Sequence, residues 1–284
     1  MSAIDFRDHR FTAPAERRQA LVAALKRLLP DDRLLRILDL GCGTGAQLTD
    51  IADAFPLAEC VGVDISVWNI RQAAAYAETS TSPMRLHFHA SDYLLFTDQP
   101  FDVILADSVL QNISAPTQAL ADKIGNDLVP GGLLVASLPY ECTYNRLLWT
   151  SRRILRLLRG RTLERFVETA ARKIHPDWPA EMIRERIPYM FLLPCRADGR
   201  EFRDVLWKTA RMAVVEERPV PHVSWAQPKH RTVIFRKEVI KLAGEPGVSP
   251  VAQSHDPAAH VSDRDASAVA DSSWRQPPCA VAWL

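Results

Sequence analysis

The chain has 284 residues, enough for one large domain or two modest ones, and 47% of them are apolar, enough to bury a sizeable core. Its formal net charge of +1 excludes a global attraction to nucleic acid or anionic membrane, so any basic recognition has to be local. Five scattered cysteines (Cys42, Cys60, Cys142, Cys195, Cys279) include no CxxC pair, which argues against a zinc site and a disulfide framework and fits reduced thiols in a cytoplasmic protein. No stretch reaches the roughly 18 apolar residues of a membrane span. Met1 to Arg7 lacks the apolar run of a signal peptide.

In chain order, residues 1–33 read as an N-terminal helical segment, in which Leu21, Leu25, Leu28 and Leu29 recur at helical spacing and Pro30 ends the pattern. A regular alternation follows. Strands are expected at 36–40, 60–64, 84–90, 101–106 and 133–138, with helices at 46–55, from Ser66 to about 78, and at 116–128, ending before Pro130-Gly131-Gly132. Such alternation implies right-handed crossovers and a parallel sheet with helices on both faces. A helix at 200–211 and strands at 212–220 and 232–236 complete the pattern. Residues 34–140 and 199–240 thus form an α/β domain. Residues 141–198 are an arginine-rich helical lid inserted after strand five, and 241–284, rich in Pro, Ser, Ala, Asp and His, read as a disordered tail.

The chemistry concentrates in Asp39-Leu40-Gly41-Cys42-Gly43-Thr44-Gly45, between a predicted strand and a predicted helix. Glycines there let a ligand approach the backbone, and the helix from Ala46 aims free N–H groups at it. The turn also satisfies the dinucleotide pattern GxGxxG/A, so alone it does not separate S-adenosylmethionine (SAM) from NAD. Asp39 does: a carboxylate suits the ammonium of a methionine moiety and repels a pyrophosphate. Asp64, ending strand two, suits ribose hydroxyls, with Ile65 beside it. Asp92, in Ser91-Asp92-Tyr93 after strand three, suits an adenine amino group, with Tyr93 or Leu94 to cover the ring. Three acids at three consecutive strand ends mark the edge where open α/β sheets bind ligands.

With Ile37–Gly45, Val61–Ser66, Ala90–Tyr93, Phe101–Ile113 and Leu128–Leu134 in view, the sequence resembles the class I SAM-dependent methyltransferases over residues 34–140, and more weakly over 200–238. The resemblance implies a seven-stranded, mostly parallel sheet whose last strand is antiparallel, with SAM as cofactor. Asp39, Gly41, Cys42, Gly43 and Gly45 would hold its methionine end, Asp64 the ribose and Asp92 the adenine, while Asp107 and Ser108 would line the path to the methyl group. Many relatives carry His where this chain has Gln111, so a general base there is not supported.

The acceptor is less legible, and a small molecule, either a specialised metabolite or a lipid-like compound, is the expectation. On the ligand edge stand Gln111, Tyr140, Tyr144 and Trp225, and His222 offers a general base for O-methylation. His87 and His89 read as pleat neighbours, and no metal site is expected. In the lid, Leu147, Leu148, Ile154, Leu155 and Leu158 make an apolar stripe with Arg152, Arg153, Arg156 and Arg159 on the polar side. That pattern fits a lid helix with a solvated basic face, or contact with an anionic acceptor or a membrane surface. Other readings remain open: a SAM-fold enzyme with another reaction, an NAD(P)-dependent oxidoreductase, or a non-catalytic SAM-fold partner subunit. A nucleic-acid acceptor is disfavoured, because no extended basic surface with interleaved aromatics is present.

Overall fold

In a computed structural model, residues 15–30, 32–174, 176, 180, 183–184, 187–195, 199–220 and 227–239 are described. Five parallel strands, β1 (Arg36–Leu40), β2 (Glu59–Asp64), β3 (Leu86–Ala90), β4 (Phe101–Asp107) and β5 (Leu128–Pro139), are joined by β6 (Met212–Pro219) and β7 (His230–Lys237). The order is β3-β2-β1-β4-β5-β7-β6, with β7 antiparallel to both its neighbours. The seven-stranded sheet with an antiparallel last strand is the one the sequence predicts. Its helices are α1 (Ala15–Leu28), α2 (Ala46–Ala54), α3 (Val67–Ala77), α4 (Thr117–Asp127), α5 (Thr143–Leu157), α6 (Arg161–Ile174) and α7 (Gly199–Ala210).

Alternating strand residues sort the core into two layers. Leu38, Leu40, Val61, Val63, Ile104 and Ala106 pack with Leu120 and Ile124 of α4 and Phe202 and Leu206 of α7. Ile37, Cys60, Val103 and Leu105 pack with Leu25 of α1 and Leu48, Ile51 and Phe55 at α2. Because both faces are covered, the central strands read as continuous apolar runs. Helices α4 and α7 approach closely at Gly125, where an added Cβ would lie 2.7 Å from the Ala210 Cβ.

Three strand starts differ from expectation by more than one residue. Strand β3 begins at Leu86, after a 3-10 turn at Pro83–Arg85, rather than at residue 84. Strand β5 begins at Leu128 and runs through Pro130-Gly131-Gly132 rather than starting at Leu133. Phe101 faces Leu128, the next paired residue Val103 faces Leu133, and Gly131 takes a φ of 82°. The Pro-Gly-Gly step is therefore an irregularity within the strand, not a break before it. Strand β7 begins at His230, two residues early, where it pairs with Pro139.

The lid holds the larger correction. Arg152, predicted on the polar side of α5, is 5% exposed, while Leu147, Ile154 and Leu158 are 66%, 52% and 66% exposed. Polar anchors set the rotation of the helix. Asn145 Nδ2 donates to the carbonyls of Tyr140 (2.7 Å) and Lys229 (2.9 Å), and Asn145 Oδ1 accepts from Lys229 N at 2.8 Å. Seven residues on, along the same face, Arg152 Nη1 donates to the Leu192 carbonyl at 3.0 Å and its guanidinium lies over the Trp149 ring. Burial lowers the Arg152 pKa to about 10. Of the expected stripe, Leu147, Ile154 and Leu158 are left facing outward, while Leu148 and Leu155 are half-buried. A short 3-10 turn, Ile187–Phe191, packs beside α5 with Ile187 and Phe191 buried. The helix expected to restart at Asp177-Trp178-Pro179 and the tail at 241–284 lie outside the described residues.

Leu25 is fully buried between α1 and the sheet. Leu25→Ala is expected to destabilise the protein by about 2–5 kcal/mol, read as a lower urea midpoint at unchanged m-value. An unshifted midpoint would mean that α1 does not close this core layer.

Candidate functional site at the carboxyl edge of the sheet

The glycine turn leaves β1 and is tied at once to β2. Gly41 N and Cys42 N both donate to the Val63 carbonyl, at 2.7 and 3.2 Å. Gly41, Gly43 and Gly45 take φ values of 67°, 55° and 76°, a region that favours glycine. Gly45 is also pressed against α3, since a Cβ there would sit 2.7 Å from the Ala73 Cβ and 3.0 Å from its Cα. Cys42 is buried, and burial pushes its thiol pKa up, so it serves as packing.

Asp64 closes the turn from the second strand. Its Oδ2 accepts from Gly43 N at 2.9 Å, and its Oδ1 accepts from Ser66 N at 2.8 Å and Asn69 Nδ2 at 3.3 Å. Ser66 also caps α3, its hydroxyl accepting from Asn69 N at 3.3 Å. Three of about four carboxylate acceptor positions are thus filled by the chain. Burial raises the Asp64 pKa, and these hydrogen bonds oppose the rise. Ile65 is half-buried beside it.

Asp39 is held differently. It is 2% exposed, and Gln47 Nε2 reaches its two oxygens at 3.3 and 3.4 Å. Burial raises its pKa well above the usual carboxylate range, Asp107 adds to the rise, the Gln47 contact opposes it, and Asp64 adds again. Gln47 Oε1 is buried without a hydrogen-bond partner. Two weakly satisfied acceptors therefore stand together beneath the glycine turn.

At β3 the Ser91 backbone N–H donates to the Asp64 carbonyl at 3.0 Å, linking adjacent strand ends. Asp92 is exposed, and its Oδ1 accepts from Leu94 N at 2.9 Å. Tyr93 is 6% exposed within the core layer under α4, with Lys123 over its ring at 4.8 Å. Its ring is therefore not exposed beside Asp92; of the two residues expected to cover an adenine, the half-buried Leu94 remains.

The ends of β4, β5 and β7 assemble a second group. Arg17 of α1 donates from Nη2 to Asp107 Oδ1 and to Ser108 Oγ, the latter at 3.0 Å. Ser108 has a φ of 61°, which turns the chain sharply after β4. The Ser108 carbonyl accepts from Gln111 Nε2 at 2.9 Å, which fixes the amide orientation, and the same nitrogen lies 3.4 Å from His230 Nε2. Gln111 Nε2 is a donor, so His230 Nε2 is the acceptor of that contact. Burial first, then the charge of Arg17, lowers the His230 pKa to about 4, with Asp107 and a hydrogen bond to the Pro228 backbone opposing. The imidazole is neutral at neutral pH. Gln111 Oε1 is buried without a partner. Tyr140 lies under the Arg231 guanidinium and Tyr144 beside the Lys229 ammonium. His222 and Trp225 lie outside the described residues.

Sequence reasoning missed Arg17, Gln47, Asn69 and His230. Arg17 carries no local signal. Gln47 interrupts the apolar face of α2, and His230 was findable, because an antiparallel β7 begins where β5 ends.

A protein-family model described as a methyltransferase domain matches residues 31–171. Among curated relatives, the chain is 37% identical over 105 residues to a trans-aconitate 2-methyltransferase of Streptomyces avermitilis, covering 37% of this chain and 39% of that one. It is 27% identical over 123 residues to a malonyl-[acyl-carrier protein] O-methyltransferase of Bacillus cereus, covering 43% and 44%. The matches thus span less than half the length of these relatives. Among solved structures, magnesium protoporphyrin IX methyltransferase from Synechocystis with bound S-adenosylhomocysteine (SAH) superposes with a TM-score of 0.53 at 16% identity, covering 78% of this chain and 83% of that one. At that identity the likeness shows the fold. The matched segment, the strand order and the glycine turn agree: residues 31–171 belong to a methyltransferase domain, in the seven-stranded fold of the class I SAM-dependent methyltransferases.

Proposed function

We propose that the chain transfers a methyl group from SAM to a small-molecule acceptor. The observation that carries this reading is the pair of buried acceptors under the glycine turn. Asp39 and Gln47 Oε1 suit an ammonium, whose N–H donors and charge would satisfy both and favour the ionised carboxylate. A pyrophosphate in that place would meet a carboxylate already disfavoured by burial, which weighs against an NAD(P)-dependent oxidoreductase. Bound SAM supplies a methyl group already activated on a sulfonium.

In this reading the chain's residues bind, orient and exclude water. Asp39, Gly41, Cys42, Gly43 and Gly45 surround the methionine end, Asp64 offers its remaining acceptor position to the ribose, and Ser91, Asp92 and Leu94 border the base. Asp107 and Ser108 flank the reacting centre, their positions set by Arg17. Gln111, Tyr140 and His230 border the acceptor. Alignment of an acceptor lone pair with the methyl carbon supplies much of the acceleration. The neutral His230 Nε2 can accept a hydrogen bond from an acceptor hydroxyl where that hydroxyl takes the place of the Gln111 amide. The trans-aconitate relative supports a small acceptor.

Calorimetric titration with SAH, its loaded form SAM and NAD tests the cofactor. SAH and SAM are expected to bind, NAD is not, and Asp64→Ala is expected to weaken SAH about tenfold or more, as for loss of a hydrogen bond to a charged group. NAD binding in place of SAH would overturn the reading. Mass-spectrometric detection of methylated product, with SAM and pooled small-molecule acceptors, separates an enzyme from a non-catalytic partner subunit and from a SAM-fold enzyme of another reaction.

The free protein carries a linked signature. In the unfolded chain Asp39 titrates near an ordinary value of about 3.9, and in the fold its pKa is raised. The native state therefore holds the proton longer, and this group's contribution makes stability fall as pH rises from the unfolded pKa through the folded one. Asp39→Asn removes that contribution. Its urea midpoint at neutral pH is expected to exceed that of the wild type, with a flatter acid-to-neutral profile, while its SAH affinity drops. Parallel stability profiles for the two proteins would refute the assignment of buried strain to Asp39.

A further inference from the structure

We infer that the outward face of α5 docks the protein on an anionic lipid surface. At about 100° per residue, Leu147, Ile154 and Leu158 fall within about 40° of one another, and Leu157 borders them. They are 66%, 52%, 66% and 77% exposed. The helix is inside-out for a globular protein, since Asn145 and Arg152 are its buried residues. The hydrogen bonds of Asn145 and Arg152 hold this rotation, so the stripe is built to face outward.

Charge selects the occupant. Residues 143–174 contain nine basic and two acidic residues in a chain whose net charge is +1, so the surplus is concentrated on this part of the lid. Arg146, Arg159 and Arg172 pair with Glu141, Glu164 and Glu168. Arg153 is exposed on the flank of the stripe, and Arg156 is half-buried on the same helix. Long arginine side chains beside a leucine-isoleucine stripe are the pattern of a helix lying in a bilayer interface, the stems following the acyl boundary and the guanidinium groups reaching phosphates. A second copy of the same face would bring the two arginine flanks together and is disfavoured by repulsion. Insertion across the bilayer is not implied: no helix among the described residues is long and apolar enough to cross a membrane.

The full chain, incubated with sucrose-loaded vesicles, tests this by co-sedimentation. Binding is expected to phosphatidylcholine mixed with phosphatidylglycerol and not to phosphatidylcholine alone, and it is expected to fall as salt is raised. Arg153→Gln should weaken partitioning about fivefold. Ile154→Glu with Leu158→Glu should abolish it while SAH affinity and the circular dichroism spectrum stay as in the wild type. Should the double variant lose its fold, Arg153→Gln and the lipid and salt comparisons decide alone. No pelleting with anionic vesicles at low salt would overturn the inference. Undiminished binding by the folded double variant, or a dimer in light scattering that it dissociates, would also overturn it.

Discussion

A single carboxylate organises the ligand edge. Asp64 ends β2, yet its hydrogen bonds run to the glycine turn through Gly43 N and to the start of α3 through Ser66 N and Asn69 Nδ2. With the Val63 carbonyl accepting from Gly41 and Cys42, it fixes the turn's left-handed residues relative to the neighbouring strand. The strand order then does the rest. Chain progression runs outward from β1 to β3 on one side and resumes at β4 on the other, so a crevice opens beside β1 at the carboxyl edge. Asp39 stands at that reversal and the glycine turn covers it. Breaking the clasp would release the turn, the α3 cap and the β2 end together.

The parallel half of the fold was legible because both faces of its strands are covered, which writes the strands as apolar runs and their helices at period 3.6. Boundaries failed where local chemistry departed from that rule. Pro130-Gly131-Gly132 reads as a stop, but β5 accommodates it with a left-handed Gly131 and an uneven register. The three acids Asp39, Asp64 and Asp92 were visible because each lies within two residues of the end of a strand. Arg17 was invisible because its partner Asp107 is 90 residues away, and nothing local distinguishes it from any helical surface arginine. Tyr93 misled because an aromatic after a strand end fits a ligand cover as readily as the core it joins.

The lid shows where periodicity misleads more deeply. Leu147, Ile154 and Leu158 define an amphipathic stripe, and the usual inference sends that stripe inward. Two polar residues reverse it. Asn145 finds three backbone partners when buried, and Arg152 a carbonyl and a ring. A buried polar group with its hydrogen bonds met removes the penalty that normally orients such a helix. The sequence pattern reports amphipathicity correctly; which side faces in depends on carbonyls near residues 140, 192 and 229.

The same contrast separates the two strand-end acids that face the turn. Asp64 has three of its acceptor positions filled by its own chain, so it acts as scaffold, and the proposed ribose contact would use the position left over. Asp39 is left with long contacts to one amide and the nearby charges of Asp107 and Asp64, all in a buried place. A fold selected for stability alone would put a leucine there, as at Leu38 and Leu40 on either side. The unfavourable carboxylate fits the cationic ligand proposed above, and Arg17, the nearby cation, is engaged by Asp107 and Ser108. The scaffold's two packed layers offset that local destabilisation, and the binding of a positively charged ligand would relieve it.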